Sequence, residues 1–223
     1  MLIDSWNTLI PENVKEIYKH YDTSPHLGAN PALICIDLYN ISYYGGSFDP
    51  ALLMDRYPSS CGKYAADAIE PTKKLIKHCR NKNMPVIYFT RNWQQYNQGV
   101  NSTQRKRRPA TAYDYAIRKD FAPESGDKIF YKTRASIFFD TGLEEYLRGR
   151  GIDSLVYAGV STSGCVRAST VDAFNYGYRP ILIEECVFDA NPISHAISMW
   201  DIHHKYGHVC NLDTYINAYN STE

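Results

Sequence analysis

Short apolar, strand-forming runs at 32–37, 85–90, 154–159 and 180–184 punctuate the chain and read as strands buried on both faces. Between them the apolar positions change period: Ala65, Ile69, Thr72, Ile76 and Cys79 recur at helical spacing, and 142–150 and 166–176 carry two further helical patterns. Strand and helix in alternation predict parallel pairing through right-handed crossovers, so the chain is expected to form one α/β doubly wound domain over residues 1–223. Ahead of the first strand, Val14, Ile17, Tyr18 and Tyr21 mark a short amphipathic helix within an N-terminal helical extension at about residues 1–30. Such a helix packs on the domain or on a neighbouring subunit. The polar stretch 92–108 breaks the rhythm and reads as a long loop of the kind that covers or borders a site.

Composition narrows the class. A chain of 223 residues with 44% hydrophobic and 22% charged content supports one globular core. Lys and Arg balance Asp and Glu at 24 each, so no overall field draws nucleic acid or an anionic membrane surface, and the expected partner is a small molecule. The run Arg105-Lys106-Arg107-Arg108 sits among Asn, Gln, Ser and Pro and reads as a solvated loop, not a nucleic-acid patch. No stretch approaches the roughly 18 apolar residues of a membrane span, and the start shows neither a basic n-region nor a long apolar core, so a cytoplasmic protein is expected. The cysteines at 35, 61, 79, 165, 186 and 210 form no CxxC pair and read as reduced thiols.

In an open parallel sheet the ligand crevice lies beyond the carboxyl ends of the strands, and three reactive side chains fall there. Asp37 closes the first apolar run, Lys132 follows Ile129-Phe130-Tyr131, and Cys165 follows a strand and the small residues Ser161-Thr162-Ser163-Gly164. A cysteine at a helix N-terminus meets free N–H groups and the positive end of the dipole, which favour thiolate; the same N–H groups suit an oxyanion. A lysine beside the thiol stabilises thiolate, and a carboxylate near both takes up a proton. Each residue also has a structural reading: Cys165 as a small buried hydrophobe like Cys35, Cys79 and Cys186, Lys132 as a solvated strand end, Asp37 as a cap or turn former. Tyr39, Asn40 and Tyr43 after the aspartate and Trp93 in the long loop are candidate pocket walls, with packing as the alternative in a chain of nineteen tyrosines. His195, His203 and His204 invite a metal assignment, but the adjacent positions 203 and 204 face different sides of a helix, so surface or capping roles are expected.

The segments Leu-Ile-Cys-Ile-Asp37-Leu-Tyr-Asn, Lys132 ahead of Ala135-Ser136-Ile137-Phe138, and Gly159-Val160-Ser161-Thr162-Ser163-Gly164-Cys165-Val166-Arg167 resemble the isochorismatase-like cysteine hydrolases, in the family order Asp, Lys, Cys and over nearly the whole chain. The cysteine segment and the stretch from His195 to Tyr206 are most similar to the N-carbamoylsarcosine amidohydrolase branch. The resemblance implies a three-layer fold around a six-stranded parallel sheet, with Asp37, Lys132 and Cys165 catalytic. It further implies a cis peptide between Val160 and Ser161, and an oxyanion hole from the Ser161 and Cys165 backbone N–H groups. The implied reaction is cleavage of the C–N bond of a small linear amide or of a carbamoyl or ureido compound, with ammonia released and a thioester formed on Cys165. No cofactor and no metal are expected, because no histidine lies between Asp37 and His78, where nicotinamidase-type relatives carry ligands. Assembly as a homodimer or homotetramer follows from the same resemblance.

The branch grips its substrate carboxylate with an arginine, and the matching position here is Ala190. An uncharged ureide such as biuret or triuret needs no such arginine. A carboxylate-bearing substrate of the carbamoylsarcosine or maleamate type would require Arg134 or Arg91 from another wall, since a carboxylate buried without a partner is costly to desolvate. Two other classes stay open. A thiol-redox protein would lack a resolving cysteine near Cys165 in sequence, and a non-catalytic ligand-binding relative would leave Asp37, Lys132 and Cys165 idle.

Overall fold

The computed structural model describes residues 6–20, 27–91 and 110–220. Four strands form on the apolar runs: β1 (Pro31–Ile36), β2 (Val86–Arg91), β4 (Ser154–Val160) and β5 (Arg179–Phe188). Two more, β3 (Lys128–Lys132) and β6 (His208–Cys210), complete a six-stranded sheet of order β3-β2-β1-β4-β5-β6, parallel throughout. Neither outer strand carries a strong apolar signal. Edge strand β3 exposes Lys128, Ile129 and Tyr131, and β6 is only three residues long. β5 runs past the expected end at 184, with a register shift against β4 and the Glu185 carboxylate accepting from Leu212 N at 2.9 Å.

Around the sheet lie α1 (Glu12–Tyr18), α2 (Pro50–Leu53), α3 (Gly62–Asp67), α4 (Ile69–Asn81), α5 (Leu143–Gly149), α6 (Arg167–Asn175), α7 (Pro192–Lys205) and α8 (Leu212–Asn220). The alternation of side chains along a strand divides the interior into two cores. Ala32, Ile34 and Ile36 of β1 meet Leu143, Leu147, Ala173 and Met199 from α5, α6 and α7. Leu33 and Cys35 point the other way, to Ala65, Leu75, Cys79 and Tyr215 from α3, α4 and α8. The result is the three-layer doubly wound arrangement.

The helical pattern expected across Ala65 and Cys79 is split at Ala68 into α3 and α4. Pro71 has no N–H to donate to the Asp67 carbonyl, so an uninterrupted helix would lose that bond and crowd the ring. At the N-terminus, Trp6 and Tyr18 pack edge-on against Trp200 of α7, with ring centroids 6.1 and 5.6 Å away. The extension thus docks on the chain's own α7; Tyr21 lies outside the described residues. His203 and His204 are half-buried in this cluster and not surface residues, their rings 4.9 Å apart, and both bond backbone at the end of α7: His203 Nδ1 accepts from Val209 N at 3.2 Å and His204 Nδ1 pairs with Trp200 O at 2.8 Å. Adjacent helical positions differ by only about 100°, which lets both rings reach one aromatic cluster.

The strand order reverses at β1, since the chain leaves β1 toward β2 and β3 and then returns to β4 on its other side. The crevice beyond the carboxyl ends of β1 and β4 is therefore the natural ligand site of the sheet. Gly159 controls how closely those ends approach. Its φ is +127°, and a Cβ there would stand 1.9 Å from the Ile36 carbonyl oxygen, so no side chain fits between β1 and β4 beside Asp37.

Candidate active site

Asp37 follows β1 directly, Lys132 ends β3, and Cys165 lies in a π-helical turn, Thr162–Val166, that joins β4 to α6. Although β2 separates their strands, the side chains converge. Lys132 Nζ stands 2.8 Å from Asp37 Oδ2 and donates to Cys165 Sγ at 3.2 Å and to the Arg134 carbonyl at 3.3 Å. Those three partners match the three donors of an ammonium. Asp37 and Lys132 are each 1% exposed, and Cys165 is half-buried. Asp37 adopts φ 54°, a left-handed conformation that Asp tolerates better than most residues, and its N–H is tied to Phe89 O at 2.9 Å. Asp37 Oδ2 faces the Lys132 ammonium, and the carboxylate also lies within electrostatic reach of the Cys165 thiol.

The charges are arranged differently from the expectation of a resting thiolate. Burial pushes the Cys165 thiol up, the Asp37 charge adds to the effect, and Lys132 offsets it only in part, so the thiol reaches about 11. Burial alone would lower Lys132, but the Asp37 carboxylate first, with the neighbouring Cys165, outweighs it and holds the ammonium protonated. The resting site is thus a thiol beside a carboxylate–ammonium pair, and the proton must leave sulfur as the nucleophile attacks.

The other expected site residues scatter. The Val160–Ser161 peptide is cis and leads directly into the cysteine turn. Asn40 is buried with its amide donating to Tyr113 O at 2.9 Å. The Tyr43 ring is taken up by Phe121 and Phe188 and by the Arg118 guanidinium, 5.0 Å from its centroid, so it packs in the core. The Arg134 side chain is exposed, and only its carbonyl reaches Lys132. Ala190 is half-buried against the second core. Trp93 and the basic run at 105–108 lie outside the described residues.

Arg91 and Tyr39 are the polar residues brought toward the triad. Arg91 is the register partner of Lys132 and leaves the sheet on the same side. Burial would lower the guanidinium, yet its acidic neighbours Tyr39, Asp37 and Cys165 raise it. Tyr39 stacks edge-on with Tyr115 at 5.1 Å, and burial together with the Asp37 carboxylate keeps its hydroxyl protonated.

Composition and spacing did not single out Asp189, and His195 is buried instead of surface-exposed. Asp189, just beyond β5, accepts from Ser163 N at 2.9 Å and Ser163 Oγ at 2.7 Å. His195 is 5% exposed and pairs with Thr162 Oγ1 through Nδ1 at 2.9 Å. The available signal was its spacing with Met199 and Ile202 on the apolar stripe of α7. Burial lowers His195 from 6.5 to about 4, with the Asp189 charge acting in the opposite sense. The unfolded chain therefore gains a proton on acidification well before the folded one, and stability falls as the pH drops from 6.5 toward 4, by about 3 kcal/mol for this group. Urea midpoints measured across that window are expected to fall more steeply for the wild type than for His195→Gln.

Among the described residues no group of three or more His, Cys, Asp or Glu side chains is placed to hold a metal ion, and no helix is long and apolar enough to cross a membrane. Residues 31–214 match the family model described as the isochorismatase domain. A maleamate amidohydrolase from Pseudomonas putida is 47% identical over 101 residues, which cover 45% of this chain and only 46% of that relative. An N-carbamoylsarcosine amidase from an Arthrobacter species is 31% identical over 199 residues, 85% of this chain and 71% of the relative. An isochorismatase family protein from Burkholderia thailandensis superposes with a TM-score of 0.73 at 20% identity, over 88% of this chain and 98% of that one. The last comparison is a likeness of fold.

Proposed function

This chain belongs to the isochorismatase domain family, and from that premise we propose that it is a cysteine amidohydrolase that cleaves the C–N bond of a small linear amide or of a carbamoyl or ureido compound. The observation that carries the proposal is the convergence of Cys165, Lys132 and Asp37 on one buried point, with the ammonium within 3.2 Å of sulfur and 2.8 Å of the carboxylate. A lysine used only for solubility would not be buried there. The names of the two relatives, both amide-cleaving, support the same chemistry.

The reaction follows from the protonation states. The substrate carbonyl enters beside the cysteine turn, Asp37 takes the thiol proton, and sulfur adds to the carbonyl carbon. The Ser161 and Cys165 N–H groups hold the oxyanion, a kind of stabilisation worth about 10² to 10³ in rate per donor. As the tetrahedral species collapses, Asp37 returns the proton to nitrogen and ammonia leaves, with the acyl group left as a thioester. Water then attacks with its proton passing to Asp37, and sulfur departs to recover that proton. Lys132 remains protonated and keeps the Asp37 and sulfur charges tolerable in a buried site.

Uncharged ureides such as biuret and triuret are the substrates suggested by Ala190. A second reading, an amide bearing a carboxylate, would draw on Arg91, the register partner of Lys132 at the carboxyl end of β2, as the cation facing the substrate anion. Ammonia release across biuret, triuret, carbamoylsarcosine, ureidoacrylate, maleamate and nicotinamide tests both. Turnover of at least one small amide is expected. Activity confined to carboxylates selects the second reading, and no turnover of any amide sinks the amidohydrolase proposal.

A further inference from the structure

The turn that carries the nucleophile is held by side chains that take no part in the chemistry above. Between Ser161 and Cys165, the polar side chains of Thr162 and Ser163 are both engaged by the segment after β5. Asp189, 8% exposed, receives the Ser163 N–H and O–H on Oδ2 and the Asn191 N–H on Oδ1 at 3.2 Å. Asn191 in turn caps α7, with its Oδ1 accepting from Ile193 N and Ser194 N at 3.0 and 3.2 Å. His195, in the first turn of the same helix, pairs with the Thr162 hydroxyl. On the far side of the cysteine, Ser169 Oγ donates to Cys165 O at 2.6 Å and accepts from Ile137 N at 3.1 Å.

We infer that Asp189 and His195 are positioning residues that clamp the Ser161–Cys165 turn, so that its backbone N–H groups face the oxyanion while sulfur faces the carbonyl carbon. The inference rests on the acyl-transfer reading. Its physical basis is that, of the Thr162–Val166 turn, only Val166 adds a sizeable apolar side chain to the core, so the two buried polar anchors on Thr162 and Ser163 set where its N–H groups point. Displacement of reacting groups by about 1 Å can cost on the order of 10² in rate, whereas substrate binding by the rest of the pocket is unaffected. The Asp37–Lys132 pair lies on other strands and keeps its geometry when the clamp is removed.

The test compares wild type, Asp189→Ala, Asp189→Asn and Ser163→Ala on whichever amide the wild type hydrolyses, with thermal midpoints and the rate of Cys165 alkylation by iodoacetamide read alongside. Asp189→Ala is expected to lower kcat about 10- to 100-fold with KM changed less than about threefold and alkylation less than about threefold. Asp189→Asn keeps one acceptor for Ser163 and recovers most of kcat. Ser163→Ala, which removes only the hydroxyl bond and leaves the backbone bond, loses about 3- to 10-fold and keeps the test valid where Asp189→Ala does not fold. Wild-type kcat in a folded Asp189→Ala, or in Ser163→Ala where Asp189→Ala does not fold, overturns the clamp, as does a fall in alkylation parallel to kcat, which would assign Asp189 to thiol activation. A wild type inactive on every amide overturns the acyl-transfer reading itself and is told apart by that control.

Discussion

Cys165→Ala is expected to lower ammonia release on the order of 10⁴-fold or more while the protein stays folded, because a nucleophile in a concerted unit carries nearly the whole effect of that unit. Its sulfur is half-buried and packs only at the margin of the first core, so truncation removes little apolar contact. The Asp37–Lys132 pair survives, and substrate binding should survive with it. Binding without turnover in Cys165→Ala separates a nucleophile from a packing thiol. It also separates the hydrolase from a redox protein, since a redox thiol would not be needed for amide cleavage. Parallel measurement of kcat and of substrate affinity in the variant provides the check.

Lys132→Met carries the largest expected effect on stability. Methionine matches the lysine stem in volume, so packing is nearly kept, but Asp37 is left 1% exposed with no cation beside it. An unpaired buried charge costs about 3–5 kcal/mol, and without the ammonium nothing balances the Asp37 and sulfur charges that the attack requires. The variant is therefore expected to lose both stability and activity. Adding Asp37→Asn removes the orphaned charge and should recover much of the stability with none of the activity. Urea denaturation of the single and double variants, beside ammonia release, measures both. A Lys132→Met protein as stable as the wild type would mean that the pair is not buried as described.

The legible part of the fold was its centre. Runs such as Ala-Leu-Ile-Cys-Ile at 32–36 declare themselves because a strand covered on both faces has no polar side to confuse the period. β3 and β6 were faint for the opposite reason: an exposed edge strand and a three-residue strand supply neither an apolar run nor an alternation. The break at Ala68 was written in Pro71, but the apolar spacing through 65–79 ran across it. At the site, Asp37, Lys132 and Cys165 were visible as polar punctuation at strand ends. What could not be read from spacing was the reach of Lys132 across β2, since sequence separation says nothing of which side chains meet. Burial also reversed a local argument. The helix terminus favours thiolate at Cys165, yet desolvation and the Asp37 charge outweigh it. Asp189 was illegible because its partner, Ser163, lies a whole helix and strand away, and His195 because a histidine on an apolar stripe looks the same whether it packs or anchors a loop.

The most direct measurement is the mass of the protein quenched in acid during turnover of an accepted amide. The account predicts a covalent acyl adduct, of the substrate's mass less ammonia, on the peptide that contains Cys165, and none on that peptide in Cys165→Ala. Steady ammonia release by the wild type with no adduct, at a rate that Cys165→Ala retains, would contradict it.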